Sequence, residues 1–438
     1  MIHSKYSILF LLLTLFVSCS TTQHISRKDK KIIRHSIESS PVFSSHFTGF
    51  MLYDPLQKEV LLEQNAHQYF TPASNTKILT FFTALQILKD SVELLQYATK
   101  GDSIVIQGMA NPVFLHPKFE QFPLPSFFED SSKMLFLSFH NFQDDRYGEG
   151  WMWDDYNYAF QTEKTPFPIY ENNIQIELKA GSDYPIIRPK YFEAAFTQEK
   201  NKGDRLRIFR EEKDNLFKYQ LPEESDKDLL YTRPFITTAA ITAALLADTL
   251  HREINVWQKS PENLHFVPIR IPMQDTVYRR LLHQSDNFIA EQLLLMCSQK
   301  LWGYQNTKEM ITYAKDSIFQ FLTDELMWVD GSGISRYNLF TPSALVQILD
   351  ILQQQISMER IQDLFPSGGT SGTVEGWYGP YLFAKTGTLR NNHNLSGYII
   401  TRSGRLLIFS FMNNHFKGGS SRIKEAMEKV LEEVYRRL

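Results

Sequence analysis

Hydrophobic spacing divides the chain into stretches of different period. Residues 46–65, HFTGFMLYDPLQKEVLLEQN, form two apolar runs around Asp54-Pro55, which predicts a β-hairpin. The run FTPASNTKILTFFTALQIL, residues 70–88, follows as an apolar helix. From about residue 100 to 230, short β-like runs (DSIVIQG, MLFLSFH, IQIELKA, RLRIFRE) alternate with charged, proline-bearing loops. Helical spacing resumes at ITTAAITAALLADTL and continues through TVYRRLLHQSDNFIAEQLLLM, TKEMITYAKDSIFQFL and PSALVQILDILQQQ. The strands YLFAKTGTL, NLSGYIITR and RLLIFSFMNN come next, with Ser403-Gly404 turning between the last two. A charged helix, SRIKEAMEKVLEEVYRRL, closes the chain.

Strands at both ends, helices in the middle and an interruption between them predict a discontinuous domain of α/β (α+β) class. It comprises residues 41–100 and 231–438, with a mainly β domain, residues 101–230, inserted in it. The terminal strands are expected to pair into one antiparallel sheet, covered by the first and last helices. A chain of 438 residues has room for two or three domains with a sizeable core.

The first 24 residues, MIHSKYSILFLLLTLFVSCSTTQH, change the picture. Lys5 gives a short basic start, and residues 6–17 are apolar but too few to span a bilayer, which takes roughly 20. This reads as a secretory signal over residues 1–19. Cys19 follows Phe16-Val17-Ser18, which resembles a bacterial lipoprotein box with phenylalanine in place of the usual leucine. Lipid attachment at Cys19 and a membrane-anchored, periplasmic place in the cell envelope are expected, with ordinary cleavage as the alternative. Residues 20–40, polar and basic, read as a tether. Cys297 is then the one cysteine of the mature chain, so an internal disulfide is excluded and a buried helix thiol is expected.

Apolar residues make up 43% of the chain, which is globular rather than disordered. A net charge of −3 makes no electrostatic case for nucleic acid. No histidine pair has metal-ligand spacing, so neither metal nor other cofactor is expected.

The chemistry begins at Ser74 and Lys77. Their spacing puts hydroxyl and amine on one helical face, at the head of an apolar helix. Burial there favours the neutral amine, which can then take the proton of a serine that is otherwise a poor nucleophile. The same spacing at Ser421 and Lys424 lies on a solvated helix and carries no such implication. Ser285-Asp286-Asn287 falls between helical segments and Lys385-Thr386-Gly387 on a strand. Ser-x-x-Lys, Ser-x-Asn and Lys-Thr-Gly in this order are the motif set of penicillin-recognising serine acyltransferases.

ASNTK, SDNFIAEQLL, DGSGISRYN (330–338), FPSGGTSGTV (365–374) and AKTGTL together resemble the D-Ala-D-Ala carboxypeptidase/endopeptidase family, the low-molecular-mass class C penicillin-binding proteins. GWMWDD (150–155) resembles a segment of that family's inserted domain. QGMANPVFL departs from the family's Gly-x-Gly-Asp-Pro at Ala110 and Asn111. The resemblance implies a serine β-lactamase/transpeptidase-like domain, with a five-stranded antiparallel sheet flanked by helices and a helical subdomain. It implies that Ser74 attacks the carbonyl between two D-alanines of a peptidoglycan stem peptide and that Lys77 takes its proton. Asn287 would hold the substrate amide, Ser285 would relay a proton, and Lys385 would favour the substrate carboxylate. Thr386 and Thr388 would bond that carboxylate beside Gly387. The N–H groups of Ser74 and Thr388 would form the oxyanion hole. Asp155 would meet an amino group of the peptide, and β-lactam antibiotics would acylate Ser74. Gly331 and Gly333 are expected to serve backbone geometry, and Asp330 and Arg336 to pair. A serine β-lactamase or esterase, and a non-catalytic module that binds wall peptide or senses β-lactams, are the alternative readings.

Overall fold

The computed structural model describes residues 25–261 and 263–438; the signal segment and Cys19 lie outside the described residues. Helix α1 (Arg27–Glu38) precedes the hairpin β1 (Phe47–Asp54) and β2 (Glu59–Gln64) and then helix α2 (Thr76–Leu88). An inserted run follows: β3 (Ser91–Lys100), β4 (Ser103–Gly108), β5 (Met134–Ser138), β6 (Asn173–Leu178) and β7 (Ile186–Arg188). It continues with β8 (Phe196–Gln198), β9 (Arg207–Arg210), β10 (Phe217–Gln220), β11 (Leu229–Pro234), α3 (Ala239–Leu250), β12 (Ile254–Val256) and β13 (Val267–Pro272). Helices α4 (Asp275–His283), α5 (Asn287–Trp302), α6 (Thr307–Tyr313), α7 (Pro342–Gln355) and α8 (Met358–Leu364) come next. Strands β14 (Leu382–Leu389), β15 (Asn392–Ile400) and β16 (Leu406–Asn414) and helix α9 (Ser421–Arg437) end the chain.

The terminal strands form a five-stranded antiparallel sheet in the order β14-β15-β16-β1-β2. Alternation along β16 sends Ile408 and Met412 to one core, and Leu407, Phe409 and Phe411 to another. Helix α9 covers the second face, with Met427, Val430, Leu431 and Val434 buried. On the first face the helix against the sheet is α7, which packs on β1, β15 and β16, rather than α2 as expected. Helix α2 is buried over most of its surface, ten of its thirteen residues, and it sits in the middle of α4, α5 and α7.

Two expected boundaries change. Residues 27–38 of the expected tether are helical: Ser26 caps α1 by accepting from Lys28 N, and Ile33 and Ile37 are buried. One apolar pair four residues apart is enough to dock a charged helix against α9 and β2. The insertion runs from Ser91 to Pro272, wider than residues 101–230. Strand β3 pairs with β13 and β4 in the sheet β12-β5-β4-β3-β13, and α3 lies on β5 and β12. The remaining inserted strands make two small sheets, β11-β6-β7 and β8-β10-β9.

Candidate active site

The loop before α2 is fastened to the main sheet. Asn414 Oδ1 accepts from Thr71 N at 2.7 Å, and Asn394 Nδ2 donates to Thr71 O at 2.9 Å. Ala73 then takes φ +49°, a left-handed conformation that L-residues rarely hold, and Ser74 lies on the single turn Ala73–Asn75 that opens α2. Asn75 Nδ2 donates to Ser396 Oγ at 2.7 Å, which anchors the turn from its other side.

One turn into the helix, Lys77 Nζ donates to Ser74 Oγ at 3.0 Å, Asn287 Oδ1 at 2.6 Å and Ser332 O at 2.6 Å. Its side chain is wholly buried. Burial lowers the lysine to about 8, against the opposing pull of Asp330, Glu291 and Asp286. About one Lys77 in ten is then neutral at pH 7, against roughly one in three thousand for an unperturbed amine.

The second motif spans the junction of α4 and α5. Ser285 adopts φ +55°, and Asp286 caps α5 by accepting from Ile289 N at 3.1 Å. Asp286 also pairs with Arg280 Nε at 2.8 Å, so it builds the turn, and its neighbours face the cleft. Asn287 reaches Lys77 with its oxygen and donates from Nδ2 to Phe160 O at 2.8 Å.

Strand β14 supplies the third. Lys385 Nζ donates to Ser285 Oγ at 2.9 Å and to Thr386 O at 2.8 Å. It is buried with no carboxylate partner among the described residues. Burial, and then the charge of Lys77, push Lys385 well below an ordinary lysine. Gly387 lets the strand come this close: a Cβ there would lie 2.2 Å from Pro72 O and 2.9 Å from Asn75 N. Thr386 Oγ1 donates to Thr373 Oγ1 at 2.6 Å, and Thr388 Oγ1 lies 2.8 Å from His393 Nδ1.

Lys77 thus joins Ser74 and Asn287, Lys385 joins Ser285, and the two lysines lie near enough for the charge of one to act on the other. Asp155 sits on the turn Trp153–Asn157, a few residues before Phe160; partial burial and then Asp154 raise its carboxyl. The expected Asp330–Arg336 pair does not form. Asp330 instead accepts from Gly333 N, Ser335 N, Trp151 Nε1 and Asn338 Nδ2, while Arg336 donates to Arg390 O. Four neutral donors already satisfy both carboxylate oxygens, so the guanidinium is left to the surface. Gly333 at φ +82° brings this loop so near the nucleophile's turn that a Cβ would lie 2.0 Å from Ala73 O.

Sequence reasoning missed Glu291. Buried in α5, it accepts from Gly331 N at 3.1 Å and Ser332 N at 2.8 Å, which sets the loop whose Ser332 carbonyl receives Lys77. Burial and then Asp330 raise it to about 7. Its signal was a glutamate one turn after Asn287 within an apolar helix, where an unpartnered charge would be costly. Cys297 is a buried helix thiol, its pKa raised by that burial.

The D-Ala-D-Ala carboxypeptidase 3 (S13) family matches residues 30–117 and 134–434. The chain belongs to that family. Among its relatives, the D-alanyl-D-alanine carboxypeptidase DacB of Haemophilus influenzae is 21% identical over 419 residues, covering 84% of this chain and 86% of that protein. Carboxypeptidase DacB of Mycolicibacterium smegmatis is 27% identical over 150 residues, 31% of this chain and 33% of that one. The crystal structure of penicillin binding protein 4 (dacB) from Haemophilus influenzae superposes with a TM-score of 0.73 at 18% identity, covering 92% of this chain and 99% of that chain. The same protein complexed with a β-lactam gives 0.71 at 16%, with coverage of 93% and 99%. The expected mixed α/β fold, with its five-stranded antiparallel sheet, is present in this chain and matches the fold of that penicillin binding protein 4.

Proposed function

We propose that this S13 protein is a serine D-Ala-D-Ala carboxypeptidase that cleaves peptidoglycan stem peptides through an acyl-enzyme on Ser74. The observation that carries the mechanism is the buried Lys77 amine, 3.0 Å from Ser74 Oγ and depressed to about 8. Neutral Lys77 takes the hydroxyl proton as Ser74 Oγ attacks the carbonyl between the two D-alanines. The Ser74 and Thr388 N–H groups receive the developing oxyanion, each such donor typically worth on the order of 3 kcal/mol. Ser285, which accepts from Lys385, relays a proton to the leaving amine. Water then releases the shortened peptide.

Lys385 is buried with no carboxylate partner among the described residues, and the free carboxylate of the substrate supplies one, with Thr386 and Thr388 hydroxyls beside it. Asn287 holds the scissile amide, and Asp155 meets an amino group on the peptide from the inserted segment. Endopeptidase cleavage of cross-links uses the same groups. The signal segment and Cys19 support a lipid-anchored, periplasmic protein.

A β-lactamase needs a base that drives rapid deacylation. Lys77 is the side chain hydrogen-bonded to Ser74 Oγ among the described residues, and both Glu291 oxygens are held by backbone amides. That favours slow turnover and stoichiometric labelling by penicillin. A peptide-binding module needs no depressed lysine at its serine. Incubation with purified peptidoglycan pentapeptide tests the reading: the wild type releases free D-alanine and Ser74→Ala does not. Equal release by both proteins sinks it.

A further inference from the structure

A groove of about 380 Å³ opens on the inserted segment, between the turn that follows Asp155 and strands β9 and β11. We propose that it binds a peptide carboxylate on the flank of the substrate distal to the scissile bond; this rests on the carboxypeptidase reading above.

Arg233 forms its floor. The guanidinium carbon lies 6.0 Å from the centre of the Tyr158 ring and 5.7 Å from that of the Tyr231 ring, within cation–π range of both. Nε donates to Ile208 O at 3.0 Å and Nη1 to Thr232 O at 2.9 Å. Nη2 has no partner among the described residues, and no carboxylate among them pairs with Arg233. Burial lowers its pKa, so the cation is held at a cost that an incoming anion would offset. The planar fork of arginine suits a carboxylate, and two of its donors are already oriented by backbone carbonyls.

The rim has the same character. Alternation along the β9 edge puts Arg205, Arg207 and Phe209 on the exposed side, with Leu206, Ile208 and Arg210 buried beneath them. Arg207 pairs with Asp204, whereas no carboxylate among the described residues pairs with Arg205.

Two contacts link the groove to the second motif. Tyr158 stacks on Phe160 with ring centroids 5.5 Å apart and an interplanar angle of 6°. The Phe160 carbonyl accepts from Asn287 Nδ2, so the stack begins at a residue of the second motif. The walls are tied together as well. Asn157 Nδ2 donates to Ile208 O, Asn157 Oδ1 accepts from Arg210 N, and Arg210 Nη2 donates to Tyr156 O. A peptide leaving Asn287 over Phe160 and Tyr158 arrives at Arg233 across a surface that is already rigid.

The test compares wild type, Arg233→Gln and Arg205→Glu on two substrates: a muropeptide ending in D-Ala-D-Ala with free acidic side chains, and the same muropeptide with those side-chain carboxyls amidated. Penicillin labelling of Ser74 is measured alongside. The expected result is unchanged labelling, about a tenfold fall in kcat/KM on the acidic muropeptide carried by KM, and no fall on the amidated one. Arg205→Glu makes no described bond and reverses an exposed charge, so it reports even where Arg233→Gln fails to fold. Unchanged kcat/KM in Arg205→Glu, or an equal fall on both substrates, overturns the groove. Absence of labelling in the wild type overturns the carboxypeptidase reading instead.

Discussion

Glu291 and Lys77 are joined through a single residue: Ser332 gives its N–H to the carboxylate at 2.8 Å and offers its carbonyl to the ammonium at 2.6 Å. The glutamate therefore fixes the acceptor that orients the Lys77 amine, while its charge favours the protonated form of that amine. Glu291→Gln keeps an oxygen for the loop and loses the charge. Its rate–pH profile for acylation by a β-lactam is expected to shift to lower pH. Glu291→Ala leaves two buried amides unsatisfied and should lower acylation by roughly ten- to a hundredfold through misplacement of Lys77. A stopped-flow pH series on both variants reads the difference.

In the proposed mechanism neutral Lys77 is the reactive form, so acylation should accelerate with rising pH along a limb centred at about 8. The same depression acts on stability. Folding lowers this lysine from 10.5 to about 8, so the unfolded chain binds more protons between those values. The Lys77 contribution therefore makes the fold more stable as pH rises through that window. Urea unfolding of wild type and Lys77→Ala at several pH values isolates it: the variant should lack this part of the rise.

Gly387→Ala should damage activity more than stability. The added methyl would lie 2.2 Å from Pro72 O, so β14 must withdraw from the nucleophile's turn. A displacement near 1 Å typically removes about a hundredfold of rate, while overpacking costs roughly 1–3 kcal/mol. Penicillin labelling rate and thermal midpoint, taken on one preparation, check both halves.

Ala110 holds φ +57°, a left-handed conformation that favours glycine, and its carbonyl accepts from Gln292 Nε2 at 3.0 Å. Ala110→Gly relieves left-handed strain of about 1–2 kcal/mol and gives back part of it in lost burial and chain entropy. The expected outcome is a thermal midpoint equal to or above wild type with labelling unchanged. A clear fall in the midpoint would contradict the strain argument.

The proposed catalytic side chains could be picked out because acyl transfer demands particular residue types at short, fixed spacing, and Ser74, Lys77, Ser285, Asn287 and Lys385 each sit in such a motif. The end strands were legible because β14, β15 and β16 are long apolar runs broken by a clear turn. What supports them was not. Glu291 lies among apolar helix residues, and its role depends on amides forty residues away. The limits of the insertion depend on β3 meeting β13, a pairing across about 170 residues that local spacing does not encode. Arg336 beside Asp330 looked like an ion pair, but four neutral donors from the same loop and from Trp151 reach the carboxylate first.

The main sheet pairs Phe47 with Asn414, so the first catalytic motif is seated by strands made last. A growing polypeptide carries Ser74 and Lys77 through most of its synthesis with no β14 beside them. A product truncated before residue 382 would lack Lys385 and β14, β15 and β16, three of the five strands of the main sheet.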